Sequence, residues 1–100
     1  MEIYRKEWET SKGEELATID AEFLKDGTLR ISGADFGPAV EEWWGDDDYE
    51  YWMEIAPEDS KKLFLSILRE AFNADLRLTF TGLRKICEAN GINPKFDSWV

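Results

Sequence analysis

Apolar and polar residues alternate from residue 16 to residue 24, with Ala17, Ile19, Ala21 and Phe23 set against Thr18, Asp20 and Glu22. A period of two predicts a half-buried strand. Lys25-Asp26-Gly27 follows, and residues 28–32 resume the β pattern. Parity decides how these two strands meet. A two-residue Asp-Gly turn would set Phe23 against Arg30 and Glu22 against Ile31, mixing charge with apolar groups on both faces. A three-residue loop with Gly27 in the left-handed conformation pairs Phe23 with Leu29 and Ala21 with Ile31. It also sets Glu22 opposite Arg30 on the wet face, a favourable cross-strand pair. A slip of one residue would turn the apolar set outward, so the longer loop is expected. Residues 3–9 are rich in β-formers and add an N-terminal strand, closed by the loop Thr10-Ser11-Lys12-Gly13.

The middle of the chain reads as a short helix and a further strand. Pro38 suits a first helical turn and Gly45 a stop, which predicts a short helix between them. Residues 49–55 form a strand with Tyr49, Tyr51, Met53 and Ile55 on one face and Glu50, Trp52 and Glu54 on the other. Pro57-Glu58-Asp59 opens the clearest helix, its acids placed where the helix dipole favours them. Leu63, Phe64, Ile67, Leu68, Ala71 and Phe72 give it a wide apolar stripe. A second main helix runs from about Thr81, with Leu83, Ile86 and Cys87 inward and Asn90-Gly91 as its stop. After Asn93-Pro94 the tail from Lys95 suits an edge strand. Strands followed by helices indicate an α+β class: an antiparallel sheet of four to five strands, two main helices packed on one face, and a short helix before the fourth strand. One hundred residues, with no linker or repeat, are expected to form a single domain over 1–100.

Charge changes this picture in one place. The chain carries 22 acids and 12 bases, a net charge of −10. Between Arg30 and Lys61 there is no base, and ten carboxylates fall in that interval: Asp35, Glu41, Glu42, Asp46, Asp47, Asp48, Glu50, Glu54, Glu58 and Asp59. The rest of the chain is balanced, so this segment supplies the whole net charge. It also holds Phe36, Trp43, Trp44, Tyr49, Tyr51 and Trp52. Acid beside large aromatics suits a face that meets a basic protein, with Trp43, Trp44, Asp46, Asp47, Asp48, Tyr49, Glu50, Trp52 and Glu54 as its candidate contacts. Trp52, flanked by Glu50 and Glu54 on a face with no assigned cover, is the best anchor. The plainer account of Trp43 and Trp44 is that each packs inward, as tryptophan does on average.

Several chemistries are set aside on composition. Acidity opposes nucleic-acid binding, which uses Lys and Arg to neutralise phosphates, and it opposes anionic membrane surfaces. No apolar run reaches the ~18 residues of a membrane span. The N-terminal residues are charged and lack the apolar stretch of a secretory signal, so a cytoplasmic location is expected. Cys87 is the only cysteine, which removes an internal disulfide and reads as a small core residue. The absence of histidine removes the commonest general base and zinc ligand. Asp46, Asp48 and Glu50 stand at alternate positions, as in a calcium loop, but Tyr51 and Pro57 occupy the places of its glycine and its closing glutamate. A solvated loop with at most weak divalent-cation affinity is expected. Glu41 and Glu42 are adjacent on a helix and point apart, so they do not make a hydrolytic pair. No catalytic residue, cofactor or metal site is assigned.

The stretches Gly33-Ala34-Asp35-Phe36-Gly37-Pro38-Ala39-Val40-Glu41 and Gly45-Asp46-Asp47-Asp48-Tyr49-Glu50-Tyr51-Trp52 resemble a group of small, uncharacterised bacterial proteins. The likeness covers about twenty residues and extends to the tail from Gly91 to Trp99. It implies a bacterial, cytosolic protein and carries no activity. The expectation is therefore a small acidic protein-binding module, a monomer or homodimer, of which an immunity or inhibitor protein occluding a basic partner is the most concrete form. The alternatives are a small enzyme or ligand-binding protein using carboxylates in an aromatic-lined cleft, and a self-associating structural protein.

Overall fold

Four strands and three helices follow one another along the chain, as a computed structural model that describes residues 1–46, 48–73 and 77–96. The strands are β1 (Glu2–Thr10), β2 (Gly13–Phe23), β3 (Leu29–Phe36) and β4 (Asp48–Ile55); helix α1 (Pro38–Trp44) joins the last two. Helices α2 (Pro57–Asn73) and α3 (Phe80–Ala89) follow. The class is α+β. The chain divides into two compact units, residues 1–61 and 62–100.

In the first unit the sheet is an antiparallel meander in the order β1-β2-β3-β4. Phe23 pairs with Leu29, Ala21 with Ile31 and Glu22 with Arg30, the register that parity demanded. Leu24 and Thr28 close the loop, and Gly27 takes a φ of 89° within it. The Thr28 N–H donates to Asp26 Oδ1 at 2.9 Å. This bond holds the Asp26 carboxyl below its usual range. β4 runs antiparallel to β3, and β1 pairs with β2.

Cross-strand partners share a face, so the register sorts the side chains into two sets. One is largely apolar: Phe23, Leu29 and Ile55 form a row, Ala21, Ile31 and Met53 the next, then Ile19, Gly33 and Tyr51, with Tyr4 and Trp8 added from β1. The other is acidic and is described below. A Cβ built on Gly33 would fall within the Tyr51 ring, so the absence of a side chain lets this aromatic lie on the backbone. Gly33 and Glu15 are buried, and among the described residues no large apolar side chain is.

In the second unit, α2 presents Phe64, Leu65, Ile67 and Phe72 exposed and holds Leu63, Leu68 and Ala71 half-buried. The Thr79 side chain caps α3 by accepting from the Gly82 N–H at 3.0 Å, so the helix begins at Phe80, one residue before the expected start. Gly91, with φ 70°, ends the helix as expected, and Cys87 is a half-buried free thiol. Arg84 lies 4.0 Å from the centroid of the Phe96 ring. The fifth strand expected from Lys95 falls mainly on residues outside those described.

Candidate functional site

Trp52 stands on the acidic face because β4 alternates. Tyr49, Tyr51, Met53 and Ile55 take the apolar side, which leaves Asp48, Glu50, Trp52 and Glu54 together on the other. Three rows build the surface around the indole. Trp52 lies opposite Ser32, which lies opposite Asp20; Glu54, Arg30 and Glu22 form the row on one side; Glu50, Ala34 and Thr18 form the row on the other. Trp52 is 64% exposed. It shares a cavity of about 260 Å³ with Glu22, Arg30 and Ser32.

Two bases belong to this face, and both are engaged. Arg30 Nη2 donates to Glu54 Oε1 at 3.0 Å. Its Nε is shielded from solvent and makes no hydrogen bond with the described residues, so the guanidinium is partly desolvated beside the indole. Arg5 bridges Glu2 and Glu7 at 3.2 and 2.9 Å, and the Glu7 bond, with that of Glu2, raises its pKa further. Exposed ion pairs such as these add little to stability, because water screens them. Their effect is to neutralise one carboxylate each, while Asp20, Glu22 and Glu50 add further negative charge around Trp52.

The other candidate aromatics lie elsewhere. Tyr49 belongs to the apolar side, and the Trp44 ring stacks on it with centroids 4.5 Å apart and planes 4° from parallel. Tyr51 continues this array 5.5 Å from Tyr49. Trp43 is 83% exposed and Trp44 62%, so neither packs into a core. Asp46 lies in the turn after α1, and Asp47 is outside the described residues. Seven of the nine candidate residues are therefore divided between two faces. Asp48, Glu50, Trp52 and Glu54 lie together, whereas Tyr49, Trp43 and Trp44 belong with α1.

Glu15 was not singled out from sequence and organises this second group. It is only 3% exposed. Its Oε1 accepts the Ala39 N–H at 2.8 Å, one of the donors that the first turn of any helix leaves without an internal partner. Gly37 makes the approach possible: its φ is 134°, and a Cβ there would collide with the Glu15 carboxylate. Pro38 then occupies the first turn, where its missing N–H costs nothing. Gly45 closes α1 with φ 80°, its N–H donating to Glu41 O at 2.8 Å. Lys12, in the β1–β2 loop, pairs with Glu42 on the same helix.

Partial desolvation raises the Tyr51 pKa above 10.0, and the charges of Asp35 and Tyr49 raise it further. A folded pKa above the unfolded one favours the protonated phenol in the folded state. That stability is complete below the unfolded value and is lost as pH rises through the folded one. Phenolate absorbance should show one tyrosine ionising late, and Tyr51→Phe should remove that late titration. A Tyr51→Phe variant that keeps it would assign the shift to another residue.

No family model matches this chain, and no curated protein or solved structure matches it either. Among the described residues, no group of three or more Cys, Asp or Glu side chains is placed to hold a metal ion, and no helix is long and apolar enough to cross a membrane.

Proposed function

We propose that this chain is an acidic protein-binding module whose Trp52 face engages a basic protein surface. The observation that carries the reading is the position of one exposed indole amid Glu22, Glu50, Glu54 and Asp20. Carboxylates on the rim steer a basic partner and fix its orientation, while a central aromatic excluded from water supplies most of the affinity. The most concrete partner is a basic enzyme acting on nucleic acid in a bacterial cytoplasm, with this chain as its immunity or inhibitor protein and its carboxylates occupying phosphate subsites. The face this reading needs open is the one bearing Trp52.

Binding to a purified basic partner should weaken as salt rises to physiological strength, where charges are screened over about 8 Å. Trp52→Ala should cost about 2 kcal/mol, roughly a thirtyfold loss of affinity. Glu50→Gln together with Glu22→Gln should slow association and leave dissociation nearly unchanged. A complex indifferent to salt and to Trp52→Ala would place the interface elsewhere.

A further inference from the structure

We propose that the cleft beside α1 is a second binding site, for a methylated ammonium group, with Trp8, Trp43 and Trp44 supplying aromatic surface and Glu15 and Asp35 the compensating negative charge. Three of the chain's five tryptophans line this one cleft, from β1 and α1, together with those two carboxylates. Its volume is about 260 Å³. That is smaller than the ~300–1,000 Å³ of sites for drug-sized molecules, and it suits a single head group.

The chemistry of the lining selects the ligand. Indole presents the most attractive aromatic face to a cation. Lys6 Nζ sits 5.1 Å from the centroid of the Trp8 ring, so this indole already attracts an ammonium charge within the molecule. The negative charge of Asp35 is felt on this side of the sheet, since it helps hold the Tyr51 phenol protonated. A bare ammonium brings three N–H donors, each needing an acceptor. The Glu15 carboxylate already accepts the Ala39 N–H, and Gly37 lies against its other oxygen. A trimethylated nitrogen has no donors to satisfy and needs only aromatic surface and nearby negative charge. Stacking on Tyr49 fixes the Trp44 wall before any ligand arrives, which lowers the ordering cost of binding.

Both choline and the side chain of a trimethylated lysine present this group. The test titrates the full chain with choline, with its uncharged tert-butyl analogue, and with a trimethyl-lysine peptide beside its unmodified form, following the indole N–H resonances. Choline should shift the signals of Trp8, Trp43 and Trp44, leave Trp52 unmoved, and bind about three- to fivefold more tightly than the uncharged analogue. Asp35→Asn should weaken choline and spare the analogue; Trp43→Ala, at a largely exposed position, should weaken both. Tighter binding of the modified peptide than of choline assigns the source to a protein, and the reverse order to a free amine. Equal binding of choline and its analogue, no shift of the three indoles, or a dominant shift at Trp52 overturns the proposal. Trp52→Ala leaves this cleft intact, so failure here and failure on the acidic face are read separately.

Discussion

Gly37→Ala is expected to lower folding stability by about 3 kcal/mol, the sum of a conformational and a steric penalty. At φ 134° and ψ 177° the backbone occupies a region essentially reserved for glycine. The added methyl would also strike the buried Glu15 carboxylate. Gly45→Ala is the natural control. Its φ is 80°, but nothing lies within 4 Å of the added Cβ, so only the conformational cost of about 1–2 kcal/mol remains. Denaturant midpoints of the two variants separate the terms. A domain of this kind has about 5–15 kcal/mol of total stability, so the Gly37 variant should be visibly weakened. Equal losses at the two glycines would mean that the close approach to the Glu15 carboxylate and the Glu14 carbonyl adds no steric penalty.

Removing the partner of that glycine should have the second largest effect. Glu15→Ala leaves the Ala39 N–H without its acceptor in a sparsely hydrated place, at a cost of about 2–3 kcal/mol. Glu15→Gln keeps an oxygen able to accept the bond and should cost less than half as much. The pair therefore distinguishes a role as hydrogen-bond acceptor from a role as charge. Because Glu15 anchors the start of α1, the alanine variant should also loosen the Trp44–Tyr49 stack near its end, seen as weakened near-ultraviolet dichroism. Loss of stability with an unchanged aromatic signal would uncouple the cap from the stack.

The parts of this structure that sequence discloses are those governed by short-range periodicity. Phe23, Ala21 and Glu22 could be matched to Leu29, Ile31 and Arg30 because one short loop and a period of two leave a single consistent register. Pro38 and Gly45 bracket α1 as proline and glycine bracket helices generally. Trp52 could be assigned to the side opposite Tyr51 by alternation alone. Glu15 could not be singled out. It sits beside Glu14 in a charged stretch, and its partners Gly37 and Ala39 lie far along the chain, so no local pattern distinguishes it from a solvated acid. The division of the acidic aromatic segment was hidden for a related reason. Periodicity tells which side of a strand a residue takes, not which side a connecting helix crosses, and that crossing carries Trp43 and Trp44 away from Trp52. The concentration of charge between residues 31 and 60 was legible, but its extension onto Asp20 and Glu22 required the strand order.

The meander also bears on how the sheet comes into being during synthesis. Each strand lies beside its immediate predecessor, so every new pairing closes only a short length of chain. Hairpins zip in about 1–10 μs, whereas a ribosome adds only about 5–20 residues each second. The sheet can thus be laid down strand by strand as the polypeptide emerges, ending at Ile55 before either long helix exists. The growing edges of β2 and β3 are then exposed only until the next strand arrives, and among the described residues β1 and β4 remain the edges of the finished sheet.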